Sequence, residues 1–108
     1  MPRIATHAIP LELVREASKP MIDELQSLLK IPREHFEIEV FQNPFVRDGD
    51  PAAGHPFVEV SLFDRGTNIE DHVARAITRH FQAVGCPNLD VYLISLERRR
   101  YYEDGEPF

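Results

Sequence analysis

The chain has 108 residues, enough for one domain with one modest core, and 43% of them are hydrophobic, as in globular proteins. Eighteen acidic against twelve basic side chains give a net charge of −6, which disfavours phosphate backbones, so we predict no nucleic-acid partner. Cys86 is the single cysteine, which excludes an internal disulfide, and no apolar run approaches the length of a membrane span. We therefore expect a cytoplasmic protein with no membrane partner.

The first part of the chain has the pattern strand, helix, strand. Residues 3–9 predict a short strand, and the apolar spacing of residues 11–30 predicts a helix with one buried face. Pro20 lies inside that helix and removes one backbone hydrogen bond, so we expect either a kink or a helix that begins after Lys19. The alternation over residues 36–41 predicts the second strand.

Residues 43–55 are rich in proline, glycine and aspartate, a composition that favours a loop with room for one short hairpin. After this connector, residues 56–63 predict a third strand and residues 69–84 a second helix. Thr67 and Glu70 have the spacing of a capping box, in which the threonine side chain caps the helix.

The last strand, residues 89–96, is apolar on both faces. Two helices can cover only one face of a small sheet, so the other face needs a further cover. The pattern predicts self-association through the open sheet face.

The chain therefore contains one β-α-β unit written twice, each copy opening on a proline, Pro2 and Pro56, 54 positions apart. We divide the single domain, 1–108, into a first copy 2–42, a connector 43–55, a second copy 56–96 and a C-terminal tail 97–108.

The histidines show no spacing, with one another or with the cysteine, that would build a tetrahedral metal site. No phosphate loop, nucleophile elbow or dinucleotide fingerprint is present. We predict no metal and no cofactor. The histidines considered are His7, His35, His55, His72 and His80.

Pro2 is the candidate catalytic residue. An initiator methionine before a small residue is normally removed, which would leave proline as a free secondary amine. An α-amino group titrates at roughly 7.7 to 8.0, and an apolar pocket lowers that pKa further, so the amine would be a base near neutral pH. If Met1 stays, the Pro2 nitrogen is an amide and has no basicity.

Arginines are the candidate anion-binding residues. Residues 98–100 are three consecutive arginines among acidic neighbours, a pattern typical of a solvated mixed-charge segment. The alternative is that one of them, or Arg65 at the strand-to-helix turn, holds a substrate carboxylate with its planar guanidinium.

The duplicated β-α-β unit, the proline at position 2 and the length resemble the tautomerase superfamily, which includes 4-oxalocrotonate tautomerase and macrophage migration inhibitory factor (MIF). Within it, three stretches resemble a small bacterial family of unknown function. These stretches are residues 56–60, 63–66 and 101–105.

The resemblance implies an α+β fold with a duplicated β-α-β tautomerase (MIF-like) architecture, assembled as a homotrimer whose sheets form a barrel. It also implies that Pro2 moves a proton between carbon and oxygen of a small oxo acid, with Arg65 and Tyr101 binding the substrate. Glu37 and Asp90 stand where the pattern calls for cationic groups. They would repel a carboxylate unless they activate water beside the proline.

Two alternatives remain at this stage. The order β-α-β-β-α-β also fits a ferredoxin-like sheet, which differs in having a strand inserted between the two strands of a copy. In function, a proline-based isomerase competes with a non-catalytic oligomeric binding or scaffold protein that keeps the fold.

Overall fold

The computed structural model of the chain describes residues 2–108 and shows a four-stranded sheet with two long helices on one face. The strands are β1 (Arg3–His7), β2 (Glu37–Phe41), β3 (Phe45–Arg47), β4 (Asp50–Ala52), β5 (Phe57–Phe63), β6 (Asp90–Leu96), β7 (Tyr102–Glu103) and β8 (Glu106–Pro107), and the helices are α1 (Leu11–Leu29) and α2 (Thr67–Ala83). The four main strands and both helices were predicted to within two residues at each end. Neither helix is both long and apolar enough to cross a membrane.

The order of strands in the main sheet is β2-β1-β5-β6. Within each copy the two strands are parallel neighbours, and β1 pairs with β5 in the antiparallel sense. No strand is inserted within a copy, so the duplicated β-α-β architecture is confirmed and the ferredoxin-like alternative is wrong.

The two copies also share one register. Arg3 faces Glu37 in the first copy, and Phe57 faces Asp90 in the second. Because β1 and β5 are antiparallel, equivalent positions of the two copies lie at opposite ends of the sheet. We call the end where β1 begins the proline end, and the end where β5 and β6 begin the far end.

The core lies between the helices and one face of the sheet. Alternate residues of β1 and β5 point into it, together with the apolar stripe of each helix, as the period of two in strands and of 3.6 in helices requires. The most buried of these side chains are Ile4, Val58, Val60, Met21, Leu25, Val73, Ile77 and Phe81.

Helix α1 begins at Leu11 and continues through Pro20, so the alternative start after Lys19 is wrong. The turns before the proline are retained because Val14 and Ala17 are buried in the core. Their burial offsets the backbone hydrogen bond that the proline cannot make.

The capping box predicted at Thr67 and Glu70 is also wrong. Thr67 is the first helical residue, Gly66 is the N-cap with φ of 86°, and no side chain caps the helix. The amide of Gly66 donates to Asp64 Oδ1 at 2.9 Å, which tightens the turn before the helix. Because Gly66 takes the N-cap position, the helix begins at Thr67, one residue earlier than it would with Thr67 as the cap.

The connector contains a hairpin, because β3 pairs with β4. The ring of Phe45 packs directly on Gly54, and the side chain of Gln42 donates to the carbonyl of Ile9 at 2.7 Å. These contacts fix the connector against the far end of the sheet. The C-terminal tail forms a second small hairpin, β7 with β8, which the sequence did not predict.

An ion-pair cluster joins the two helices on their outer side. Glu24 of α1 accepts from both terminal nitrogens of Arg79 at 3.0 Å, and it lies 2.8 Å from His80 Nε2. The hydrogen bonds from Arg79, and then that from His80, lower the pKa of Glu24 to about 2 from its ordinary 4.5. The bidentate geometry makes this the best-formed charged contact between the helices.

Replacing Glu24 by glutamine tests this contact. The folded carboxylate has a lowered pKa, so it contributes stability above pH 4.5 that is lost as the pH falls toward 2. We expect Glu24→Gln to cost about 1 kcal/mol at pH 7 in urea unfolding, since Arg79 stays largely solvated, and much less near pH 2. The control is Glu16→Gln on the same helix, an exposed residue without an ion pair to any of residues 2–108. An equal loss of unfolding free energy at both pH values would contradict the assignment of this stabilisation to the ionised Glu24 carboxylate.

Replacing Gly54 by alanine tests how the packing of Phe45 on Gly54 holds the connector hairpin. A Cβ at this position would lie 2.6 Å from Cζ of Phe45, so the ring must move. We expect Gly54→Ala to lower the free energy of unfolding by about 1–3 kcal/mol. In a Phe45→Ala background the same change should cost far less. Equal costs in both backgrounds would show that the contact does not hold the hairpin.

Candidate functional site

Pro2 lies at the proline end, immediately before the central strand β1, and its side chain is fully buried. Met1, whose removal would expose the proline nitrogen, lies outside the described residues. Pro2 is therefore held at a defined place in the fold and shielded from solvent, which disfavours a cation.

Arg65 lies at the same end, in the turn between β5 and α2. Its Nη1 donates to the carbonyl of Leu29 at 3.3 Å, which ties the turn to the end of α1. Its Nε is buried and has no hydrogen-bond partner among residues 2–108. A buried donor without a partner is uncommon, and this Nε is shielded from solvent by the protein itself.

Tyr101 belongs to an aromatic cluster at the proline end. Its ring lies 5.2 Å from the rings of both Phe63 and Phe108, in edge-to-face geometry. The guanidinium of Arg98 lies over the Phe63 ring at 4.5 Å, a cation–π arrangement. Arg98 forms no ion pair within the described chain, residues 2–108, so its positive charge is uncompensated.

A cleft of about 250 Å³ adjoins this cluster on the open face of the sheet. It is lined by Arg3, Ser61, Leu96 and Tyr101. Arg3 follows Pro2 in the chain, so the cleft opens beside the start of β1. The proline end therefore combines a cleft, an aromatic wall and three arginines.

Glu37 also lies at the proline end, as the first residue of β2. It faces Arg3 across the parallel pair, and Arg3 Nη2 lies 3.4 Å from Glu37 Oε1. Both side chains are more than half exposed. The arginine offsets the negative charge that would otherwise oppose an anionic substrate.

Asp90 is the one candidate that lies elsewhere. It begins β6 at the far end, where its Oδ2 is 3.3 Å from His55 Nε2. The cause is the register, since the antiparallel β1–β5 pairing puts Asp90 and its equivalent Glu37 at opposite ends. Within one chain, the structure brings Pro2, Arg65, Tyr101 and Glu37 to one end and leaves Asp90 apart.

Sequence reasoning did not single out Arg3, and it considered Arg98 only as one of three consecutive arginines. Alternation along β1 could have placed Arg3 on the open face, beside the proline. No sequence signal separates Arg98 from its two neighbours, because only tertiary contacts do so. Arg99 donates to the hydroxyl of Tyr102 at 3.1 Å, and Arg100 to Glu97 at 3.2 Å.

The family model described as "Domain of unknown function (DUF1904)" matches residues 1–107 of the chain. The chain belongs to this family. A crystal structure of a DUF1904 domain from Sebaldella termitidis is similar over 100% of both chains, with 30% identity and a TM-score of 0.88. Among curated proteins, none matches the sequence significantly.

Solved structures with lower identity show the fold of this DUF1904 domain. A wild-type fused 4-OT, an asymmetric trimer, matches over 97% of this chain and 94% of its own, with 11% identity and a TM-score of 0.79. A MIF-like protein from Entamoeba histolytica matches over 99% and 98%, with 11% identity and a TM-score of 0.70. The tautomerase fold, inferred above by resemblance, is confirmed.

The open face of the DUF1904 sheet carries a stack of rings near the far end. The imidazole of His7 lies between the rings of Phe41 and Phe57, at centroid distances of 4.7 and 4.2 Å and nearly parallel to both. His7 Nε2 lies 2.6 Å from Glu59 Oε1, but the contact lacks the alignment of a hydrogen bond. Partial burial, and then the same Glu59, raise the pKa of Tyr92.

The remaining potential ligands do not form a metal centre. No three His, Cys, Asp or Glu side chains among residues 2–108 converge as metal ligands do. Burial raises the pKa of the Cys86 thiol, so this cysteine is a neutral, apolar group.

Proposed function

We propose that this DUF1904 domain is a tautomerase (isomerase) in which the nitrogen of Pro2 acts as general base on a small keto or enol acid. The observation that carries the proposal is the position of Pro2, buried at the start of the central strand of a tautomerase fold. The cleft, the aromatic wall and the arginines lie at the same end of the sheet.

The chemistry follows from the processed N-terminus. Loss of Met1 turns the Pro2 amide into a secondary amine whose pKa lies below about 8 when desolvated. The neutral amine takes a proton from one atom of the substrate, either the carbon next to the carbonyl or the enol oxygen. The resulting ammonium returns that proton to the other atom, so the amine is regenerated and no other reactant is needed.

The arginines supply the recognition of the acid. Arg65 uses only Nη1 in a hydrogen bond within residues 2–108, and Arg98 carries an uncompensated charge above the Phe63 ring. Either can donate to a carboxylate, and Tyr101 supplies a ring edge beside the cleft. Glu37, held by Arg3, is the candidate for orienting water or a substrate hydroxyl.

We also infer that the domain works as a homotrimer. Tyr92 and Ile94 project from β6 on the face that the helices leave open, and they are 46% and 39% exposed. Large apolar side chains on an uncovered sheet face favour association, and the fused 4-OT of similar fold is described as a trimer. The single buried cysteine supports a reducing, cytoplasmic location.

A non-catalytic oligomeric binding or scaffold protein is the second candidate. It is favoured by the protein partners that two of the proline-end arginines already have, Glu37 for Arg3 and the Leu29 carbonyl for Arg65. Under this alternative these contacts serve structure alone, and Pro2 is a buried amide.

Whether Met1 is removed distinguishes the tautomerase from the scaffold protein. We expect the intact mass of untagged protein from cells to lack Met1. Pro2→Ala should then lower kcat/KM for the enol–keto conversion of phenylpyruvate at least about 10-fold, because processing leaves a primary amine without the rigid ring that holds the proline nitrogen in place. Inserting one alanine between Met1 and Pro2 should cause a larger loss, at least about 100-fold, since the proline nitrogen becomes an amide and the free amine moves away by one residue. Pro20→Ala, at an exposed position of α1, is the control that keeps activity. A mass that retains Met1 would contradict the proline base and support the scaffold.

Arg65→Gln tests carboxylate binding. We expect KM for phenylpyruvate to rise about tenfold with a smaller change in kcat, because a charge-assisted hydrogen bond to the acid is removed. Arg100→Gln is the control, as that side chain is exposed and paired with Glu97. Equal effects of the two variants would point to the general loss of positive charge and against a specific role of Arg65.

A further inference from the structure

A second cleft lies at the far end, between the β3–β4 hairpin and the turn that follows α2. Its volume is about 510 Å³, within the range of sites for small molecules. Most of its wall is small or apolar, and three polar side chains reach it, those of Arg47, His55 and Asn88. The apolar part includes Ala8, Pro10, Leu13, Pro56 and Cys86.

Hydrogen bonds to backbone carbonyls hold the walls of this far cleft in place on both sides. The amide of Cys86 donates to the Phe81 carbonyl at 3.0 Å, and the Gln42 side chain donates to the Ile9 carbonyl at 2.7 Å. Ala8, also on the wall, has φ of 61°, an uncommon conformation for a residue other than glycine. A preformed cleft binds a ligand with less loss of conformational freedom.

Arg47 is the charged group of the far cleft. It stands opposite Asp50 in the hairpin register, yet their side chains form no ion pair. Its guanidinium makes no hydrogen bond or ion pair with any other of residues 2–108. His55, by contrast, lies 3.3 Å from Asp90 Oδ2. The cleft therefore presents one uncompensated, planar cation above an apolar floor.

The far cleft is also the counterpart of the proline end. Pro56, on its wall, stands where Pro2 stands in the first copy, and Asp90 stands where Glu37 does. Because Pro56 is internal, its nitrogen is an amide and cannot act as a base. The far cleft can bind an acid but cannot move a proton with proline.

We propose that the far cleft is a second, non-catalytic binding site for a small carboxylic acid with an apolar body. Arg47 holds the carboxylate, and the wall around Leu13 and Cys86 receives the body. The wall is formed by loops and by the start of α1, away from the open face of the sheet. The inference does not depend on catalysis at Pro2.

Titration of the full-length protein with phenylacetate, followed by amide chemical shifts in NMR, tests the proposal. We expect saturable shifts at Ala8, Gly54, Gly85 and Asn88. Arg47→Gln should weaken this binding at least tenfold, because a charged hydrogen-bond donor is lost. Arg15→Gln, at an exposed position of α1, is the charge-matched control and should leave the affinity for phenylacetate unchanged.

Two further measurements separate the parts of the proposal. 2-Phenylethanol, which has the same body without the charge, should bind at least tenfold more weakly than phenylacetate. Ala53→Leu, which narrows the cleft from an exposed wall position, should also weaken binding. Shifts confined to Arg3, Ser61 and Tyr101 would place the acid at the proline end and overturn the proposal. Equal affinities for 2-phenylethanol and phenylacetate would also overturn it. An equal loss of phenylacetate affinity in Arg15→Gln and Arg47→Gln would do the same.

Discussion

The antiparallel pairing of β1 with β5 is the constraint on which the rest of the structure depends. It joins the two copies through their first strands, with Ile4 opposite Val60 and both side chains buried beneath the helices. Burying such a side chain is worth about 1.5–3 kcal/mol, and a shift of one residue would turn both away from the core. The register is therefore strongly fixed, and with it the placement of equivalent residues at opposite ends.

This arrangement gives two similar ends a different chemistry. Under the proposed function, removal of Met1 turns the Pro2 nitrogen at the proline end into an amine. At the far end the equivalent Pro56 continues a connector and keeps its amide. The acidic partners differ in the same way, because Glu37 faces Arg3 while Asp90 faces a phenylalanine in the ladder and turns to His55. Duplication thus supplies the geometry twice, and under the proposed function only the proline end has a base.

The fold was predictable from the sequence because each strand and helix has its own period of apolar residues, and the repeat showed how they combine. The candidate site was predictable only where a residue's place in the chain fixes its place in the fold, as for Pro2 and Arg65. The helix start at Gly66 and the contact of Arg98 with Phe63 depend on backbone conformation and on tertiary packing. The Glu24–Arg79 contact joins residues 55 positions apart, a distance at which local patterns carry no information.

The open face of the sheet carries two different rows of side chains across its strands. Near the far end, the side chains that lie side by side across the strands are aromatic, with His7 between Phe41 and Phe57. Covering these rings removes apolar surface from water. Near the proline end the row carries the charged pair Arg3–Glu37, which loses hydration if it is covered. Covering the aromatic row therefore costs less hydration than covering the charged row, in which Ile94, opposite Ser61, is the apolar member.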